Sequence, residues 1–315
     1  MVRLFADNSK AVRSALVLAV VAAISIGSCG HTEAGFKPVP YRFVTKDHSY
    51  GFFSRQRNTN QELWECSGLA AHSQIDSLVW AHNDGGHAPV LYLTNAYTGL
   101  TTAQFLLRGA SNVDWEDICV DALNHRVYVA DLGDNRQVRS NLCVYRVSEP
   151  LSFSGADTID AERFIVALPG GPRDIEAVFF QSSTQCLYAL TKRQGQAALY
   201  EARLESATAG DTLFFEERAR ISLMGIVAAD LSRDEKSLVL KTYKRVLVWN
   251  FSSAFSPEQF LRDRPLSLPY RKEKQGEAVA WIYDKGVEPA GYVTLSEGQA
   301  RWLRVYKKGA PQGPF

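Results

Sequence analysis

This chain has no excess of charge of either sign. Its 315 residues carry 35 Lys and Arg against 34 Asp and Glu, a net charge of +1. No global field argues for nucleic acid or a polyanionic surface, so any electrostatic function must be local. Long hydrophobic runs are lacking too. The apolar stretch Ala15–Ile26 has 12 residues, short of the roughly 20 that span a bilayer as a helix. Cysteine is scarce, five in all, and no two have the CxxC spacing of a zinc site. GxSxG, Walker and HExxH patterns are missing, which removes the corresponding hydrolase, nucleotide and zinc-protease templates. No long amphipathic helical pattern occurs. The composition is otherwise that of a globular domain, 46% hydrophobic and 22% charged.

The short apolar run has a meaning of its own. Arg3, Lys10 and Arg13 precede it, and Ile26-Gly27-Ser28-Cys29 follows. A positive region, a short apolar core and a small-residue pair before a cysteine read as a signal peptide over residues 1–28. The terminal pattern resembles a bacterial lipobox, which implies lipidation of Cys29 and anchorage without a spanning segment. An ordinary cleaved secretory signal is the alternative. Gly30 after Cys29 implies an outer-membrane destination, so a cell-envelope location is expected, periplasmic or surface-facing. Residues 29–40 read as a tether and 41–315 as one domain. Cys66, Cys119, Cys143 and Cys186 then face an oxidising compartment. They either form disulfides, in one of three pairings, or pack as four buried thiols.

What the chain does have is a repeat. Acidic modules read Glu65-Cys66-Ser67-Gly68-Leu69, Asp114-Trp115-Glu116-Asp117-Ile118, Asp174-Ile175-Glu176-Ala177-Val178 and Gly276-Glu277-Ala278-Val279. Their glutamates are 51, 60 and 101 residues apart, and the last gap leaves room for a degenerate copy at Gly225–Ala229, with Val227 in the acid position. Three short alternating segments follow each module. Examples are Arg126–Ala130, Leu142–Arg146 and Arg163–Ala167 after the second. Four short strands repeated at this period predict an all-β fold, a β-propeller of four-stranded antiparallel blades. Five blades fit the count; six would require a hidden copy within residues 47–64. The last blade ends at Tyr306 without a fourth strand, and the N-terminal strand Tyr41–Lys46 is expected to supply it and close the ring.

In such a ring the first strands line the channel. Glu65, Glu116, Glu176 and Glu277, with Asp114, Asp131, Asp134 and Asp174, form the expected oxygen-rich set. Gathered carboxylates repel unless a proton, a cation or a base neutralises them. Oxygen donors suit calcium or magnesium, and calcium suits an exported protein. Hydrogen bonds to backbone amides, or pairing with Lys192, Lys241 or Lys244, would serve equally. The second strands end in His82-Asn83-Asp84-Gly85-Gly86-His87, in Asp131–Arg136 with Arg139 beyond, and in Thr191-Lys192-Arg193. These are turn sequences. They also place His82, Asn83, Asp84, His87, Asn135, Arg139 and Lys192 where a small anionic ligand could be held. The six tryptophans fall mostly on strands, as packing between blades requires.

Glu65-x-Ser67-Gly68-Leu69, Trp80-x-His82-Asn83-Asp84, Asp114–Ile118, Asp131–Asn135 and Glu149-Pro150 together resemble a family of bacterial exported β-propeller proteins, over nearly the whole mature chain. The acidic channel is distantly similar to that of β-propeller phytases, calcium-dependent phosphohydrolases, but no phytase motif matches residue by residue and no catalytic role carries over. The resulting expectation is a membrane-anchored binding module with a divalent-cation or small-anion site in its channel. Alternatives are a calcium-dependent phosphoester hydrolase, a two-carboxylate glycosidase, and a scaffold that docks another envelope protein.

Overall fold

The computed structural model describes residues 44–315 except 151, 154, 193–194, 299–300 and 312–315. The signal segment 1–28, Cys29, the tether 29–40, residues 41–43 and Arg193 lie outside them. Among the described residues no helix is long and apolar enough to cross a membrane.

The chain builds five small sheets in order. After β1 (Tyr50–Arg57), blade one holds β2 (Cys66–Ala71), β3 (Leu78–Asn83), β4 (Val90–Asn95) and β5 (Thr101–Arg108). Blade two follows with β6 (Asp117–Asp121), β7 (Arg126–Asp131) and β8 (Cys143–Ser148). The chain then turns back as β9 (Gly155–Asp160) before completing that blade with β10 (Glu162–Ala167). Blade three has β11 (Ile175–Gln181), β12 (Cys186–Thr191), β13 (Ala197–Arg203) and β15 (Glu216–Ile221), with β14 (Thr212–Phe214) between the last two. Blade four is β16 (Ile226–Leu231), β17 (Ser237–Thr242), β18 (Val246–Asn250) and β19 (Leu266–Leu268), the last preceded by helix α1 (Pro257–Arg262). Blade five is β20 (Gly276–Ile282), β21 (Gly291–Ser296) and β22 (Trp302–Lys308), completed by β1, which pairs antiparallel with β22.

This is a five-bladed propeller closed by an N-terminal strand. The closing strand is Tyr50–Arg57, a correction to the expected Tyr41–Lys46. Residue 46 makes a single parallel bridge to Ser267 on the edge of blade four instead. Tyr50–Arg57 is the better closure physically. It alternates half-buried and exposed residues toward its end, and its ring at Tyr50 enters the blade-four/five core beside Trp281 and Tyr292. β9 and β14 were not anticipated. Each adds a fifth, parallel strand to the outer edge of a neighbouring blade, β9 on β5 and β14 on β10. Both cover an edge that would otherwise offer unpaired backbone groups.

Innermost strands such as β11 and β20 are buried along their whole length, which is why they read as continuous apolar runs. Outer strands such as β5 alternate. The apolar side chains gather into five clusters, each between two neighbouring blades. Trp80, Trp115, Trp249 and Trp281 are completely buried there, each contributing on the order of 2–3 kcal/mol of burial. All four described cysteines are separate buried thiols, so the disulfide alternative is not realised. At the axis, the buried Asp117 carboxylate accepts the N–H groups of Ile118 (2.9 Å), Val178 (2.9 Å) and Ala229 (3.1 Å), tying blades two, three and four.

Candidate functional site

The mouth of the channel where the first strands begin is built on a repeated bulge. In blades one, three, four and five the pairing slips by one residue at Ser67, Glu176, Val227 and Glu277. In blade two the register starts at Asp117 opposite Ala130, and Glu116 N–H also bonds Ala130 O (3.1 Å). A bulge places the extra residue out of the ladder and re-aims its side chain. The inner ring is therefore Ser67, Glu116, Glu176, Val227 and Glu277. Two positions earlier stands an outer ring of Glu65, Asp114, Asp174, Gly225 and Gln275. The carbonyls of Glu65, Asp114, Asp174 and Gln275 each accept from the chain leaving the second strand. Glu65 is thus the counterpart of Asp114 and Asp174, not of Glu116, a correction to the alignment of glutamate on glutamate. Its true counterpart of Glu116 is Ser67, whose hydroxyl donates to the carbonyls of Trp115 (3.0 Å) and Glu116 (2.8 Å) and links blades one and two.

The structure gathers five of the expected acids closely. Donor oxygens of Asp84, Asp114 and Glu116 lie within 4.8 Å of one another, and so do those of Glu116, Asp174 and Glu176. Glu116 is common to both sets, and Glu116, Asp174 and Glu176 are buried. Glu176 Oε1 accepts from Lys192 Nζ at 2.7 Å. Its second oxygen, Oε2, is buried and receives no hydrogen bond. Gly133 makes this packing feasible, because a Cβ there would collide with Glu116 Oε1 and the Asp114 carboxyl. Asn112, which sequence reasoning missed, donates to the carbonyls of Asn83 (3.1 Å) and Asp84 (2.8 Å) and holds the Asp84 turn beside the acids.

The electrostatics follow from burial and like charge. Burial, with Asp114, Glu277 and Glu65 nearby, pushes Asp84 up to about 6. Asp114 is raised by burial and by Asp131 and Asp174. Glu116 is raised well above the carboxylate range by burial, then by Glu176 and Asp84. Glu176 is pushed up to about 7 by burial, against the pull of Lys192. Burial opposes the charge of Lys192, yet Glu176 and Glu116 outweigh it, and the ammonium is held more firmly than usual. Across the mouth stands a second acid pair. Glu277 accepts from Tyr243 OH at 2.5 Å, and burial with the Glu277 charge pushes Glu297 up to about 9. Glu297 was missed, and Tyr243 belongs to the blade-four turn Thr242-Tyr243-Lys244-Arg245. They occupy the residue just past the second strand, the position of Asp84 and Lys192 in other blades, and that shared offset is the signal that marks them.

The expected anion-holding residues behave differently. His82 is fully buried: it packs edge-on against Trp115 and over Gly68, and burial lowers its pKa to about 4. It is a neutral core histidine, not a ligand contact. Asn83 is also structural, accepting from Glu65 N–H (3.1 Å) and donating to Glu62 O (2.7 Å). Asp131 pairs with Arg139 (2.7 Å), whose N–H also donates to Asp134 (2.8 Å). These three brace the loop after β7 and do not enter the acid cluster. His87 is 2.5 Å from Glu65, at the rim. Asn135 is exposed on the same loop. Among the described residues His87, Arg139 and Lys192 thus each already serve a carboxylate.

At the opposite mouth Ser73 Oγ lies 2.7 Å from His125 Nδ1. The nearby acid, Glu149, bonds Ser73 itself and Trp80 Nε1 (2.6 Å), not the far imidazole nitrogen. The relay geometry of a serine nucleophile is not formed there.

No protein-family model matches the chain, and no curated protein matches it. Among solved structures it is similar to a chain of the "Crystal structure of Nidogen/Laminin Complex", with a TM-score of 0.44 and 12% identity, over 74% of this chain and 73% of that one.

Proposed function

We propose that this propeller is a binding module whose channel mouth holds a divalent cation, calcium in particular, between Asp84, Asp114, Glu116, Asp174 and Glu176. The observation that carries this reading is the buried Glu176 Oε2, which has no hydrogen-bond donor and sits beside acids that share Glu116. Such a group needs a proton or a cation. The donors are all carboxylate oxygens, which suit a hard cation and not zinc or copper. A bound ion would neutralise the acids that Lys192 does not reach and brace blades one, two and three together. The signal pattern ending at Cys29 supports a cell-envelope location for the mature protein, a reading checked by loss of lipid labelling in Cys29→Ala.

Thermal unfolding with calcium and with EDTA tests the cation site. At calcium a hundredfold above its Kd, native-state binding stabilises by about 2.7 kcal/mol. Glu116→Gln should abolish that gain without lowering the melting temperature in EDTA, because burial and like charge already hold the Glu116 carboxyl toward its neutral form, which Gln mimics. Superimposed curves with and without calcium would end the proposal.

A further inference from the structure

The described bases at the acidic mouth are paired with carboxylates, whereas Lys46, Lys244 and Arg245 form no ion pair among the described residues. The turn between β17 and β18 is only three residues long, Tyr243–Arg245, shorter than the matching connections in the other four blades. Thr242 fixes it: its Oγ1 accepts the N–H groups of Lys244 (3.3 Å) and Arg245 (3.0 Å), and its own N–H donates to Arg245 O (2.8 Å). Alongside runs the segment leading to β1. Ser267 N–H bonds Thr45 O (2.8 Å), and Asp47 N–H bonds Ser267 O (2.9 Å). That bridge brings Lys46 and His48 to the same place as Lys244 and Arg245.

Between the two walls lies a groove of about 470 Å³, within the range of small-molecule sites. Lys46, Lys244 and Arg245 are exposed and, among the described residues, none is in an ion pair. Asp47 is the sole acid lining the groove among the described residues, and its Oδ1 is occupied by the N–H (2.8 Å) and hydroxyl (2.6 Å) of Ser49. Leu268, Pro269 and the Tyr270 ring form an apolar wall. The Tyr270 hydroxyl is engaged by the buried Lys241 (3.1 Å) and Glu273 (3.2 Å). The chain beyond adds exposed Lys272 and Lys274, whereas Glu273 between them turns inward to Arg304 (2.5 Å).

We infer that this groove binds a phosphate-bearing ligand with an apolar part. Exposed lysine and arginine side chains on a backbone-braced turn, without carboxylate partners among the described residues, supply charge-assisted donors, and the guanidinium fork matches phosphate oxygens. The apolar wall accommodates whatever group the phosphate carries. The groove shares no residue with the acid cluster, so the inference stands or falls apart from the cation site.

Two probes distinguish the source of the phosphate. Phenyl phosphate is titrated into the full-length protein by calorimetry. Co-sedimentation is measured with vesicles of phosphatidylglycerol and, as a baseline for the N-terminal segment, of phosphatidylcholine alone. The paired variant Lys244→Gln, Arg245→Gln serves in both, with its melting temperature confirming the fold. Binding of phenyl phosphate weakened about tenfold per charge removed identifies a soluble phosphate ligand. Excess binding to phosphatidylglycerol vesicles alone, lost in the variant, identifies a lipid headgroup. Binding to neither probe, or binding that the variant does not change, overturns the inference.

Discussion

Glu116 and Glu176 begin neighbouring innermost strands, and only Glu176 has an ammonium group against it. Among the described residues Lys192 is therefore the one side-chain cation bonded to this set of buried acids. Replacing it with methionine keeps the bulk of the stem and strips the charge. Glu176 would then lie buried with Glu116 and Asp174 and no counter-charge. Breaking a buried pair in this way costs about 3–5 kcal/mol. Lys192→Met should show that loss at pH 8 in EDTA and recover much of it at pH 5 or with calcium, where a proton or an ion replaces the lysine. A loss that is the same under all three conditions would assign Lys192 to packing alone. The acids themselves were legible in the sequence, but their equivalences were not. Residue type matched Glu65 to Glu116. A bulge shifts side-chain direction by one position, and no feature of Glu65-Cys66-Ser67 announces it. His82 misled for a related reason. A histidine beside Asn-Asp-Gly reads as a ligand, yet it lies within a strand whose residues are all buried.

At the scale of elements, the blade strands were readable because innermost strands are apolar throughout and outer ones alternate, with Gly, Asn and Asp at their ends. The exceptions have physical causes. β9 (GADTID) is polar and mostly exposed, so it carries no apolar period. α1 has six residues and is set by a Ser256 cap and Pro257 in its first turn, not by an amphipathic face. The closing strand was misplaced because both Tyr41–Lys46 and Tyr50–Arg57 alternate, and only the partner decides between them. β1 makes blade five four-stranded and joins the start of the domain to its end. Its removal exposes β22 as an unpaired edge and opens the Tyr50–Trp281–Tyr292 contact. A chain lacking residues 1–57 should therefore associate through β22, eluting as oligomers in size-exclusion chromatography, whereas one lacking only 1–43 should remain monodisperse. A monomeric, cooperatively melting 58–315 fragment would show that the ring does not depend on this strand.

For the molecule as a whole, the near-zero net charge means that the pH dependence of stability comes from local groups. Asp84, Glu176 and Glu297 are held near 6, 7 and 9, burial being the first cause for each. An acid with a raised pKa binds its proton more tightly in the folded chain than in the unfolded one. Its contribution is complete below the ordinary carboxylate range and declines as pH rises toward the folded value. Stability in EDTA should therefore fall from about pH 4 to pH 9, with all three acids contributing up to about pH 6 and Glu297 alone above about pH 7. Calcium at the acid cluster offers a positive charge that does not leave with rising pH. The gap between melting temperatures with calcium and with EDTA should accordingly widen from pH 5 to pH 8. Glu297→Gln isolates the second pair. It should flatten the decline above pH 7 while preserving the calcium gap, because Glu297 lies across the mouth from Glu116. Parallel melting curves over the whole range would mean that the two acid clusters are neutralised by fixed hydrogen bonds, leaving neither a proton nor an ion to be exchanged.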